Sequence, residues 1–509
     1  MKSIKRILFS RYMAAALCIL LEFAEVMAVF VLLNRFSSIM VVLGYITEFG
    51  VLLYIINNDE IAEFKLPWLI VILLTPIIGA FLYLLFGSTT QIKRDQKKYQ
   101  AAPEELAPYQ QQTPALELLK QRDLDAWLQA NYIYESSAMP CRTHSKATYC
   151  RLGEDFWVGL MDALKGAEHF ILMEYFIIED GTMWRGIHEV LKSKAASGVS
   201  VYLMYDDFGC MTTLPSSYYK SLIDEGIHCI PSNKFSPLLS PIHNHRDHRK
   251  ITVIDGVVGF TGGINLADEY INAIEKHGHW KDTAVKIEGE AVKNLTMLFL
   301  TTWNAQSKMP LDYAQHIDVA ASASDDDSFI IPFGDSPKPL GSHSVGKHVY
   351  LNMINAAKEY LYITTPYLIC DYEVINALRL AAEKGVDVRI ITPHIPDKKW
   401  ILLLTRSNYE PLLRAGVKIY EYTPGFIHAK GFVCDDKFAV CGTINLDYRS
   451  LAHHFECGAW IYNSSCVADM KSDFVNTMNQ SQSIAPGKVP INKWFIIPLN
   501  VLKVFSPMF

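Results

Sequence analysis

Residues 248–265 read HRKITVIDGVVGFTGGIN, and residues 428–445 read HAKGFVCDDKFAVCGTIN. The two stretches match at His248 and His428, Lys250 and Lys430, Asp255 and Asp435, Gly262 and Gly442, and Asn265 and Asn445, each pair offset by 180 residues. In an extended chain residues two apart share a face, so each copy can present an imidazole and an ammonium to one anion. The small Gly262-Gly263 and Gly442-Thr443 turns let backbone approach that anion. The side chains of Asn265 and Asn445 can then hydrogen-bond its oxygens.

Around each copy the chain alternates strand-like and helix-like segments in the same order. Strands are expected at 169–178, 199–205 and 251–260, with helices at 183–197 and 215–226. The pattern returns as 360–369, 373–384, 386–392, 408–415 and 431–441. Such alternation predicts an α/β chain built as two similar halves, each a sheet with helices on both faces. The run ASASDDD at 321–327 separates them. The halves are therefore expected at 121–320 and 328–485.

The chemistry these groups support is displacement at a phosphodiester. One neutral histidine attacks phosphorus, and the other, protonated, supplies a proton to the leaving alkoxide. Lys250, Lys430, Asn265 and Asn445 stabilise charge on the non-bridging oxygens, so neither metal nor other cofactor is needed. No His/Cys/Asp/Glu cluster shows metal-ligand spacing in the sequence. Each imidazole needs a carboxylate on its other nitrogen. Asp282 in WKDTAVKI and Glu456 in HHFECGAW are the candidates.

Half of the 509 residues are hydrophobic, and the N-terminus carries three apolar stretches, 13–33, 36–56 and 67–86. Each is close to the ~20 residues that cross a bilayer as a helix. Three in succession are unlike a cleaved signal peptide. Residues 1–87 are accordingly expected to be a membrane region of two to three transmembrane helices, with 57–66 as an external turn and the catalytic region cytoplasmic. Lysines and arginines flank both ends, so charge bias alone leaves the path of the first stretch open. Residues 88–120 read as a tether. At the other end 486–509, with Trp494 and Phe495 beside Lys493 and Lys503, reads as an interfacial anchor.

A net charge of −6 argues against a dedicated nucleic-acid binder. Ten cysteines without a C-x-x-C pair read as reduced core thiols, Cys434 and Cys441 among them. Tyr175 and Tyr367 occupy matching places on the first strand of each half, where they either border the phosphate pocket or pack in the core. The segment SPLLSPIH (236–243) reads as a loop.

The paired motifs resemble those of the phospholipase D superfamily, and the chain is most similar to its bacterial cardiolipin synthases. The resemblance runs from PWLIVILLTPIIGAFLYLLFG (67–87) through EYFII (174–178), YDDFG (205–209), NHRDHRKITVIDG (244–256) and TPYLI (365–369). It implies two pseudo-symmetric α-β-α sandwich halves with facing motifs and catalytic His248, Lys250, Asp255, His428, Lys430 and Asp435. Asn265, Asn445, Asp282, Glu456, Gly263 and Gly442 would support them. It further implies phosphatidyl transfer between two phosphatidylglycerol molecules through a phosphohistidine, with membrane lipid as the partner. By analogy with superfamily members that use the N-terminal motif, His248 is the expected nucleophile and His428 the acid. A hydrolase, a phosphatidylserine synthase and a nuclease of the same superfamily are the alternatives.

Overall fold

The computed structural model describes residues 38–75, 77–87, 104–234, 245–320, 324, 326–337 and 344–508. Its strands are β1 (Ser145–Cys150), β2 (Phe170–Tyr175), β3 (Ser200–Asp206), β4 (His228–Ser232), β5 (Ile251–Ile254), β6 (Val258–Gly262), β7 (His279–Lys281), β8 (Ala284–Gly289), β9 (Phe329–Asp335) and β10 (Tyr360–Thr364). They continue as β11 (Leu368–Ile369), β12 (Asp387–Pro393), β13 (Lys418–Tyr422), β14 (Gly425–Ile427), β15 (Gly431–Cys434), β16 (Phe438–Gly442), β17 (Leu446–Asp447), β18 (Glu456–Tyr462) and β19 (Ser481–Ile484). One sheet runs β1-β8-β6-β5-β2-β3-β4 and the other β9-β18-β16-β15-β10-β12-β13, with β19 added at its edge. Position for position, the second order repeats the first. The chain is thus a mixed α/β protein with two sheet-containing halves.

Alternation along the central strands covers both faces of the first sheet. Ile171, Met173, Val201 and Leu203 pack with Phe156, Leu160, Trp184 and Leu191 of two helices, Gly153–Gly166 and Thr182–Ala196. Leu172, Met204 and Val253 point the other way, into a core that includes Leu295 and Phe299 and continues through the second half. The two halves therefore share one hydrophobic core. Helix Val292–Gln306 packs on β9 of the second sheet, and helix Ser465–Asn479 packs on β1 of the first.

The segments 251–260 and 431–441, expected as single strands, are hairpins. Asp255 and Gly256 take φ of 51° and 69°, and Asp435 and Asp436 take 52° and 55°. Aspartate tolerates this left-handed region because its short side chain bonds locally, so Asp-Gly and Asp-Asp close tight turns there.

Further differences lie at the N-terminal side. Of the tether, 88–103 falls outside the described residues, whereas Leu106, Leu116 and Leu119 are buried in the main core. Helix Leu124–Ser137 then packs on β9 and on helix Val345–Ala356, both in the second half. Lys437 and Tyr462 both reach Asp123, and Trp460 donates to Gln129. The chain from 123 to 137 thus packs on the second half, while Tyr109 donates to Asp318 of the first.

The N-terminal region is described from residue 38 to residue 87, apart from residue 76. The stretch 13–33, with Glu22 and Glu25, lies outside the described residues, as does 236–243. Residues 67–86 are not one helix: Ala62–Leu74 ends near Thr75, and the chain resumes in Ile78–Leu82 and a π-turn at Tyr83–Gly87. Among the described residues no helix is long and apolar enough to cross a membrane. Helix Ser38–Asn57 packs against these pieces around Val51, Ile55, Ile72 and Tyr83.

Candidate active site

The site is built where each half's motif meets the other half's carboxylate strand. The His248 backbone N–H donates to the Phe455 carbonyl at 2.9 Å, and that of His428 to the Lys281 carbonyl at 2.7 Å. Phe455 immediately precedes Glu456, and Lys281 immediately precedes Asp282. Parallel pairing of β14 with β7, and of Asp247 with Phe455, holds both alignments. The carboxylates are consequently exchanged. His248 Nδ1 lies 3.0 Å from both Glu456 oxygens, and His428 Nδ1 lies 2.6 Å from Asp282 Oδ2.

At His248 an Nδ1–H donated to Glu456 fixes the tautomer and leaves Nε2 as the reactive nitrogen, whereas His428 Nδ1 lies within reach of both Asp282 and, at 2.7 Å, Lys430 Nζ. Both carboxylates are fully buried and both imidazoles nearly so. Burial, with Lys250 nearby, holds the His248 imidazole down to about 3 against the pull of Glu456, so it is neutral near pH 7. His428 is lowered by burial and by Lys430. Glu456 is held below the usual carboxylate range by His248, which outweighs its own burial.

Each lysine lies close to its own histidine. Lys250 Nζ donates to the His248 carbonyl at 2.5 Å, and Lys430 Nζ donates to that of His428. Both feel the charges of Glu456 and Asp282. Burial lowers Lys250 to about 8 and Lys430 to about 7. Two buried ammonium groups at one centre are a receptor for an anion.

The halves position their carboxylates by different means. A Cβ at Gly263 would lie 2.1 Å from Asp282 Oδ1, so only glycine admits the carboxylate there. The matching Thr443 donates its hydroxyl to Glu456 Oε2. At Gly442 a Cβ would fall 2.4 Å from the Cys457 carbonyl, where β16 approaches β18.

Several expected site residues sit elsewhere. Asp255 and Asp435 are at the hairpin tips, five residues or roughly 16 Å of extended chain beyond the lysines. The Asp255 carboxylate accepts the backbone N–H groups of Glu168, His169 and Phe170, and that of Asp435 those of Lys358, Glu359 and Tyr360. Each carboxylate thus clamps the start of a central strand. Asn265 is also committed, accepting from Ile177 N and donating to the Tyr270 hydroxyl, so it steadies the ring 5.6 Å from His428. Asn445 Oδ1 is buried without a hydrogen-bond partner among the described residues. Tyr175 is a core residue bonded to Thr252. Nine of the cysteines are described, and all nine are buried and free.

Other residues were not anticipated. Phe176 packs its ring against His248, while Trp280 and Phe426 flank His428. Arg249 forms buried ion pairs with Asp247 and Glu174 behind the first motif. His454 lies 3.7 Å from Glu456 through an Nδ1 that makes no hydrogen bond. One ligand atom from each of His248, His454 and Glu456 falls within 4.8 Å of the others, a grouping made by the fold across 208 residues of chain. Only the H-H-F-E run at 453–456 carried a signal for it.

Comparison with known proteins adds to this geometry. A family described as cardiolipin synthase, PLD-like domain matches residues 160–303 and 350–478, and a phospholipase D-nuclease N-terminal family matches 49–88. An uncharacterised protein of Streptococcus mutans is 43% identical over 437 residues, 86% of this chain and 94% of that one. A cardiolipin synthase of Alkalihalophilus pseudofirmus is 34% identical over 441 residues, 86% of each chain. Cardiolipin synthase 2 of Bacillus anthracis is 34% identical over 424 residues, 82% of this chain and 81% of that one. Among solved structures, phosphatidylserine synthase of Haemophilus influenzae superposes with a TM-score of 0.54 at 13% identity, covering 71% of this chain and 93% of that one, a likeness of fold.

Proposed function

Because the chain belongs to the cardiolipin synthase family of phospholipase D-like proteins, we propose that it transfers a phosphatidyl group between two phosphatidylglycerol molecules, giving cardiolipin and glycerol. The observation that carries this reading is the exchange of carboxylates, which makes two neutral, oriented imidazoles one site beside two buried lysines.

His248 Nε2 attacks phosphorus of the first lipid while His428, protonated when the anionic phosphodiester enters, gives its proton to the glycerol oxygen that leaves. The bond from phosphorus to that oxygen breaks as the bond to nitrogen forms. His428, now neutral, takes the proton from a hydroxyl of the second lipid, whose oxygen displaces His248 and completes cardiolipin. Lys250 and Lys430 stabilise the charge on the non-bridging oxygens. The unpartnered Oδ1 of Asn445 suits an incoming hydroxyl.

The chain works at the cell membrane in this proposal, with its catalytic halves on the cytoplasmic side. Exposed Ile46, Phe49, Leu73 and Leu74 on the N-terminal helices and Trp494 and Ile497 at the C-terminus support lipid contact. Nine buried free thiols support a reducing compartment. Vesicles of defined phosphatidylglycerol test the reaction. Cardiolipin and glycerol in equal amounts are expected; phosphatidic acid without cardiolipin would assign the site to hydrolysis.

A further inference from the structure

Outside the imidazole centre the molecule carries an apolar groove between helix Lys399–Ser407 and the C-terminal helix Ile496–Phe505. Trp400, Val501, Leu502 and Phe505 line it, and it encloses about 710 Å³. Ile401 and Leu404 form its floor and also belong to an adjoining cavity of about 170 Å³. That second cavity is polar at its far end, where Tyr367, Lys398, Asp447 and Arg449 converge. Lys398 and Arg449 are exposed and form no ion pair among the described residues.

The polar end adjoins the catalytic centre. Asp447 follows Asn445 by two residues, and its charge bears on Lys430 and Glu456. The ring of Tyr367 meets Phe426, which in turn packs on His428. Helix Ala62–Leu74 packs on the C-terminal helix that walls the groove, and its Phe64 meets the rings of His453 and of Tyr448, which lines the polar cavity. Of its lining residues, Trp400 and Val501 are exposed.

We infer that this groove holds one acyl chain of a glycerophospholipid substrate, with Lys398 and Arg449 guiding its anionic headgroup toward the imidazoles. The inference rests on the phosphatidyl-transfer reading and adds to it where the tail lies. The order of surfaces matches such a ligand: an apolar wall beside the lipid-facing helices, then two unpaired cations, then the phosphate-handling centre. A free phosphate or a sugar phosphate would leave the apolar wall without purpose.

Leu502→Trp and Val501→Trp, the second at an exposed position that tolerates bulk, each fill the groove. Initial rates are measured on long-chain phosphatidylglycerol in vesicles and on dihexanoyl phosphatidylglycerol dispersed as monomers, with vesicle sedimentation alongside. The expected result is a loss of at least about tenfold in kcat/KM on the long-chain lipid, with the short-chain rate and vesicle binding unchanged. Equal losses on both lipids, or no loss on either, overturn the inference. Activity that falls only in step with vesicle binding would make the face a general membrane anchor and also overturns it. A phosphatidylglycerol with a photoreactive acyl terminus provides a readout independent of turnover. It should label helix Ile496–Phe505 in the unaltered protein and not in Leu502→Trp; no labelling there overturns the groove assignment, whereas labelling without cardiolipin formation refutes only the transfer reading.

Discussion

At the scale of single residues, the geometry separates groups that touch the reaction from groups that hold them. His248→Ala and His428→Ala each remove an imidazole that faces the phosphate, so turnover should fall by at least about a thousandfold while circular dichroism is unchanged. Gly263→Ala should cost roughly a hundredfold in kcat, because its Cβ would meet Asp282 at 2.1 Å and displace the carboxylate from His428. Thr443→Val, which removes only the hydroxyl that supports Glu456, should cost closer to tenfold. Asp255→Asn should instead lower the melting temperature more than kcat, since its carboxylate gathers three backbone N–H groups at the start of β2. The histidines and lysines were legible in the sequence because the motif repeats with one offset, and Asp282 and Glu456 because each follows its motif by about thirty residues at the start of an apolar run. The work of Asp255 and Asn265 was not, because their partners are backbone groups about 85 residues away in the chain. His454 extends the cluster around Glu456, and steady turnover in the presence of a chelator is the expected outcome. A rate that requires an added divalent ion would assign the cluster to a metal.

At the scale of elements, the decisive feature is that β14 pairs with β7 and that Asp247, just before His248, bridges to Phe455, just before Glu456. A three-residue pairing on one side and a single bridge on the other deliver each carboxylate to the other half's imidazole, which no pattern within one half could announce. A double-mutant cycle tests it directly. Asp282→Asn combined with His428→Ala should show strong non-additivity, as should Glu456→Gln with His248→Ala, whereas crossed combinations should couple less. The same packing sets a pH dependence. Lys250 and Lys430 are held to about 8 and about 7, below the value near 10.4 of an unfolded lysine. Between these values the unfolded chain binds more protons than the folded one, so this contribution to stability increases as pH rises from 7 toward 10. His248, held to about 3, acts in the same direction below about 6.5: stability falls as the pH drops from there toward 3. Scanning fluorimetry should therefore show a melting temperature that rises from pH 7 to pH 9, and the rise should shrink in Lys430→Met. The hairpins at Asp255 and Asp435 illustrate a limit of periodicity: alternation of apolar residues continued across the turn, while the Asp-Gly and Asp-Asp steps carried the break.

At the scale of the whole molecule, the repeated strand order was readable because strand and helix patterns recur around each motif, but the joining of the halves was not. Helices Val292–Gln306 and Ser465–Asn479 each pack on the opposite sheet, and one core runs through both. Residues 104–120 read as part of a tether because Gln and Pro recur at their start, yet Leu106, Leu116 and Leu119 are buried in the shared core. Deleting residues up to 137 should thus abolish cooperative unfolding of the remaining chain, as followed by tryptophan fluorescence. The N-terminal helices present the opposite case. Their apolar composition suggested continuous spans, whereas the chain breaks near Thr75 and buries only a small cluster of its own.

Rapid quench of the protein with radiolabelled phosphatidylglycerol, followed by peptide mapping under conditions that preserve phosphohistidine, tests the central claim most directly. The account predicts a phosphatidyl group on His248 alone, its transfer to a second phosphatidylglycerol as cardiolipin, and loss of the adduct in Glu456→Gln. Label on His428, or on neither histidine while cardiolipin still forms, would contradict it.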